Sequence, residues 1–165
     1  MTTEPIKLFD FNKNKDVKQW LVVDDTVMGG RSGSTFYLND EGRGVFEGEV
    51  SLENNGGFSS VRYRMEELSA VNHTGFEIRL KGDGKRYQFR LKSDASDRHA
   101  YVHYFQTSGE WQTIGISFSD MYPSFRGRRL EMDNYPGRVM TEIAFLIVNK
   151  KPEQFRLEID WIKIR

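Results

Sequence analysis

Gly75-Phe-Glu-Ile-Arg-Leu-Lys81 and Arg86-Tyr-Gln-Phe-Arg-Leu-Lys92 are two runs of strict alternation. In the first, Phe76, Ile78 and Leu80 share one parity while Glu77, Arg79 and Lys81 take the other. In the second, Tyr87, Phe89 and Leu91 alternate with Gln88, Arg90 and Lys92. A period of two puts alternate residues on opposite faces of a strand, so each run reads as a strand with one buried face. Gly82-Asp-Gly84 between them is a tight-turn signal, and the reading is a β-hairpin over residues 75–92.

Working outward, further strands are expected at 33–39, 43–52, 58–65, 99–106, 111–118, 139–148 and 154–165. Ile143-Ala-Phe-Leu-Ile-Val148 is apolar at every position, which predicts cover on both faces. Phe155, Leu157 and Ile159 share one parity with Trp161, but Ile162 and Ile164 take the other, so a bulge is expected near Trp161. Asp16–Trp20 and Met65–Val71 read as a turn or two of helix, and Ser119–Arg138 as a long loop. Many short strands joined by Gly- and Asn-rich turns, in a chain rich in Phe and Tyr, spell an all-β sandwich in a single domain over residues 1–165.

Composition narrows the function. The 24 Lys and Arg balance 24 Asp and Glu, which speaks against a nucleic-acid binder. With no Cys there are no disulfides, thiolate metal sites or Cys nucleophiles. No apolar run is long enough to span a bilayer, and no secretory signal opens the sequence, so the expectation is a cytoplasmic protein.

Three segments break the strand pattern. In Trp20-Leu-Val-Val-Asp-Asp-Thr-Val-Met-Gly-Gly-Arg-Ser-Gly33, the adjacent Gly29 and Gly30 allow close backbone approach beside Asp24, Asp25 and Ser32. Such a set suits an anion nest or a calcium site, and equally a turn whose Asp side chains cap local amides. Glu53-Asn-Asn-Gly-Gly-Phe-Ser-Ser60 leads into Val61-Arg-Tyr-Arg64, where Arg62 and Arg64 face one way. If this strand neighbours Arg79, Gln88 and Arg90, the sheet presents an Arg-rich polar face; an ordinary solvated face is the bland alternative. Asp120-Met-Tyr-Pro-Ser-Phe-Arg-Gly-Arg-Arg129 mixes Tyr122 and Phe125 with Arg126, the profile of a binding loop. His99 and His103 share a strand face but lack an evident third ligand, so no metal and no cofactor are expected. No acid–base pair or nucleophile constellation is legible, and the chain reads as a non-enzyme.

Two of these segments resemble the signatures of the complex I intermediate-associated protein 30 family. Trp20 and Val23-Asp-Asp-Thr-Val-Met-Gly-Gly-Arg-Ser32 resemble the leading one; Phe46-Glu-Gly-Glu-Val-Ser-Leu-Glu-Asn-Asn-Gly-Gly-Phe-Ser-Ser-Val-Arg62 resembles the second. Leu8-Phe-Asp-Phe11 and Phe155-Arg-Leu-Glu-Ile-Asp-Trp-Ile-Lys-Ile164 are similar to the ends of that domain. The resemblance implies a galactose-binding-like jelly-roll sandwich and motif positions at Trp20, Asp25, Met28, Gly29, Gly30, Ser32, Asn55, Gly56, Gly57, Phe58, Ser59 and Arg62. Mitochondrial members are chaperone-like factors for assembling NADH:ubiquinone oxidoreductase; this sequence looks like a free-standing bacterial-type member. Two uses follow. A protein partner, such as a respiratory-chain subunit or assembly intermediate, would meet Met28, Phe58 and the Tyr122–Arg129 loop. A carbohydrate or small polar ligand would meet Arg62, Arg79, Gln88, Arg90 and Tyr104 on a concave face, as fold analogy with carbohydrate-binding modules suggests.

Overall fold

The computed structural model describes residues 4–13, 16–24, 33–53 and 57–165. Among the described residues it forms two antiparallel sheets packed face to face. One sheet holds β1 (Ile6–Asp10), β3 (Gly33–Leu38), β4 (Gly44–Val50), β6 (Gly75–Lys81), β9 (Trp111–Ser117) and β13 (Glu153–Ile164). The other holds β2 (Trp20–Asp24), β5 (Ser59–Ser69), β7 (Arg86–Lys92), β8 (Ala100–Gln106), β10 (Tyr122–Phe125), β11 (Arg128–Arg129) and β12 (Val139–Ile147). The six-stranded sheet runs β3-β4-β13-β6-β9 with β1 also on β13; the seven-stranded sheet runs β11-β10-β8-β7-β12-β5-β2.

The alternating residues point inward as their periodicity predicts. Phe76, Ile78 and Leu80 face Tyr87, Phe89 and Leu91 across the core, and Phe76 meets Phe89 edge-on at 4.7 Å between ring centroids. Each such side chain, once fully buried, contributes about 1.5–3 kcal/mol. The expected bulge is present as a register shift between Ile159 and Trp161 where β13 meets β6.

The hairpin expected over 75–92 does not form. β6 pairs with β13 and β9, whereas β7 pairs with β12 and β8, so residues 82–85 carry the chain from one sheet to the other. Both strands need their apolar face on the core, and placing them in opposite sheets satisfies both. Contacts with other strands and loops hold the crossover. The Asp83 carboxylate accepts from the Tyr87 hydroxyl at 2.9 Å and from the Arg156 amide at 2.8 Å. Thr107 Oγ1 accepts from the Gly84 amide at 3.1 Å and donates to the Lys85 carbonyl at 2.7 Å. Gly82 lies flat against this threonine, and a Cβ there would overlap the Thr107 side chain. Thr107 cannot turn away without losing both bonds. Gly82→Ala should therefore cost about 1–3 kcal/mol, read as a lower urea midpoint at unchanged slope.

Four strands lie where the sequence reading placed none: β1, β2, β10 and β11. The stretch Met65–Val71 is not helical; β5 runs through it as far as Ser69. Around Trp20 the Val17 carbonyl accepts from the Trp20 amide at 3.0 Å, a turn of the kind expected there.

Candidate functional site

The outward face of the seven-stranded sheet is built by register. Opposite residues across β2, β5, β12, β7, β8 and β10 form one row: Leu21, Arg62, Ala144, Arg90, Val102 and Tyr122. A second row runs Ser60, Leu146, Gln88 and Tyr104. Because side chains on a pleated sheet alternate, these rows stand opposite the core-facing Val61, Phe145, Phe89 and Phe105. The apolar run in β12 is covered on both faces as expected. Ile143, Phe145 and Ile147 face the core, and Ala144 and Leu146 floor the outer face.

That face lies at the bottom of a groove of about 850 Å³, inside the roughly 300–1,000 Å³ range of ligand sites. One wall is the β10–β11 hairpin with Phe125, Arg126 and Arg129; Leu52, Gly57 and Phe58 line the groove as well. Gly57 sits at φ 140°, a left-handed backbone that favours glycine.

The groove is strongly cationic. Among the described residues, Arg62, Arg90, Lys92, Arg98, Arg126, Arg129 and Lys150 line it against one carboxylate, Glu142. That carboxylate is buried and already held by Arg64 Nε at 3.2 Å. At the floor, Gln88 Oε1 and Arg90 Nε are buried with no hydrogen-bond partner among the described residues. Burial, and then the neighbouring Arg62 charge, pull the Arg90 guanidinium below its usual range. Such a group is costly to keep empty-handed, so the floor is poised to receive an acceptor. Three wall and floor rings carry a guanidinium: Arg86 over Tyr104 at 4.0 Å, Arg129 over Tyr122 at 4.8 Å and Arg126 over Phe125 at 5.3 Å.

Of the residues singled out from sequence, Gly57, Phe58, Arg62, Arg90, Tyr104, Phe125 and Arg126 are brought together here. Asp25, Met28, Gly29, Gly30, Ser32, Asn55 and Gly56 lie outside the described residues. Three expectations are corrected. Trp20 is 4% exposed, faces the core and stacks on Tyr63 at 5.0 Å, so it packs the sandwich. Ser59 is fully buried on the inward parity of β5, opposite Ile147. Arg79 is on the other sheet because 82–85 is a crossover; it donates to Asp160 Oδ2 at 3.1 Å and lies 5.2 Å from the Trp111 ring centroid. Lys92, Arg98, Glu142 and Lys150 line the groove without having been singled out. Lys92 shares the parity of Arg90, and Glu142 that of Ala144, so both were within reach of the same alternation argument. Among the described residues, no group of three His or acidic side chains could hold a metal.

A second depression of about 680 Å³ lies beside β3 and β4. Its main charges satisfy each other, with Arg156 Nη1 on Glu47 Oε2 at 2.8 Å.

Known proteins resemble this chain in both fold and sequence. The family 11 carbohydrate-binding module of a Clostridium thermocellum cellulosomal cellulase superposes with a TM-score of 0.71 at 15% identity, covering 99% of this chain and 95% of that one. The Clostridium thermocellum family 11 module in complex with a β-1,3-1,4-mixed-linked tetrasaccharide gives 0.68 at 17% identity, covering 97% and 94%. These likenesses establish the galactose-binding-like jelly-roll fold. In sequence, the mitochondrial complex I intermediate-associated protein 30 of Drosophila melanogaster is 26% identical over 94% of this chain and 61% of its own length. The Mus musculus protein of the same name is 22% identical over 95% of this chain and 55% of its own. The chain thus spans about three-fifths or less of the length of these curated relatives. The family profile described as complex I intermediate-associated protein 30 matches residues 9–159, and the chain belongs to that family.

Proposed function

We propose that this chain is a non-catalytic binding module that acts chaperone-like on a protein partner, seated in the groove of the seven-stranded sheet. The observation that carries the reading is the set of groove cations that, among the described residues, form no salt bridge, built on a sheet floor. Charge and surface are on offer there, but among the described residues no free acid–base pair: the one lining carboxylate is tied to Arg64. The names of the curated relatives add the setting, so the partner we propose is a respiratory-chain subunit or an assembly intermediate of complex I type.

One feature favours a second reading, a hydroxylated ligand of saccharide type. Gln88 Oε1 accepts and Arg90 Nε donates from the same floor, which suits a sugar's vicinal hydroxyls.

A tagged pull-down from the native host, followed by mass spectrometry, separates the two. Wild type is run beside Arg62→Ala and Phe58→Ala variants whose folding is checked by circular dichroism. We expect a specific protein that is lost from both variants. A clean column together with retention on a glycan array would replace the protein reading with the saccharide one.

A further inference from the structure

We propose that the groove is a seat for an acidic, extended peptide segment of a partner protein, clamped between Arg62, Arg90 and the guanidiniums of the β10–β11 wall. The proposal rests on the groove being this chain's binding seat and adds the chemistry of its occupant.

Charge segregation is the first argument. The whole sequence is neutral, with 24 basic and 24 acidic residues, yet the described residues of the groove gather seven cations against one spoken-for carboxylate. Among the described residues none of those seven is in a salt bridge, although surface carboxylates elsewhere pair with Lys7, Arg43, Arg79, Arg156 and others. A cleft lined by one sign of charge focuses its field and attracts the opposite sign.

The spacing of the floor is the second. Along the row Arg62, Ala144, Arg90, Val102, cation and aliphatic alternate from strand to strand. Arg62 and Arg90 are two strands apart, about 9–10 Å at the usual interstrand distance. An extended chain covers that distance in about three residues. Acidic residues two or three apart therefore fit the row. Gln88, one step along β7, leaves an orphan acceptor for a backbone N–H of the same segment.

The aromatic rings supply the third argument and set a peptide above an acidic saccharide. Sugars are gripped by open aromatic faces. Here Tyr104, Tyr122 and Phe125 each have one face already covered by a guanidinium. Those guanidiniums keep their N–H forks for carboxylates, which they bind in bidentate fashion.

The test is selection of random dodecapeptides displayed on phage against the wild-type protein, with an array of neutral and anionic oligosaccharides run in parallel. Selected peptides are synthesised and measured by fluorescence anisotropy against wild type, Arg62→Gln/Arg90→Gln and Arg126→Ser/Arg129→Ser. The last pair is exposed on the wall, so its folding is safe. We expect enriched sequences with acidic pairs two or three residues apart. Affinity should fall about tenfold or more in the floor variant and less in the wall variant, whose loss should vanish at high salt as for rim charges. Enrichment without acidic excess would overturn the acidic assignment while leaving a protein-binding groove. Anionic saccharides retained with no peptide enriched would overturn the partner class. If neither library is captured, the groove itself fails as the seat.

Discussion

Trp20→Ala should cost about 3–5 kcal/mol, the usual penalty for truncating a large buried aromatic. The residue belongs to the leading sequence signature, where a binding role was expected, but its surroundings are those of a core residue. It stacks on Tyr63 of β5 at 5.0 Å and on Phe36 of β3 at 5.3 Å, with Phe9 of β1 edge-on at 5.4 Å. Those three rings come from both sheets, so the indole is a rivet through the sandwich. It also anchors β2, which among the described residues pairs only with β5. A domain of ordinary stability has roughly 5–15 kcal/mol to lose, so the variant should unfold near the start of a urea titration. Trp20→Phe should lose far less, since it keeps an aromatic packed there and removes an indole N–H that has no partner. A Trp20→Ala protein with the wild-type midpoint would mean that Trp20 is not packed in the core, and the motif would regain its surface role.

That tryptophan shows how unevenly the molecule can be read from its sequence. Periodicity identifies a strand's core face but not its neighbour. The runs 75–81 and 86–92 satisfy the pattern equally as a hairpin or as strands in opposite sheets. What decides between them is Thr107 and Arg156 gripping residues 83–85, contacts that bridge more than twenty and seventy positions. The same ambiguity moves Arg79 out of the site while leaving Arg90 in it, although both have outward parity. The short strands escaped for local reasons. β2 reads Trp-Leu-Val-Val, an apolar run without alternation, and only Leu21 stands clearly exposed. β10 is four residues long and contains Pro123, which removes a donor and argues against a strand by itself. Its pairing with β8 supplies what the local sequence lacks. Arg62, Gln88, Arg90 and Tyr104 were legible as a polar face because parity was enough to align them. The concentration of seven cations was not, because Arg98, Arg129 and Lys150 reach the groove from turns and an edge strand whose placement only the fold sets.

Arg90→Met should make the protein more stable and weaken its affinity for an anionic partner. The two effects have one origin. Arg90 projects from the middle of β7 onto the groove floor, its Nε buried and unpartnered and its charge set against that of Arg62. Both the desolvation and the like charge disfavour the guanidinium in the folded state, whereas the unfolded chain hydrates it fully. Methionine keeps an unbranched stem of similar reach and gives the neighbouring Ala144 and Val102 an apolar contact. Replacing buried charges by packed apolar side chains gains about 1–4 kcal/mol in favourable cases, and with one charge the lower end, about 1 kcal/mol, is expected. For a chain of this length that raises the melting temperature by roughly 2–4 °C. The sign does not change with pH near neutrality. Arg90 is protonated in both folded and unfolded states there, so no proton is taken up or released on unfolding and the penalty is constant. Differential scanning calorimetry of wild type and Arg90→Met, with anisotropy against the same acidic peptide, reads both effects together. A lowered melting temperature would show that Arg90 supports the fold through a partner of its own, and the groove floor would then lose its role in holding an anion. A raised melting temperature with undiminished binding would leave the floor intact as a surface but place the anion on the β10–β11 wall instead.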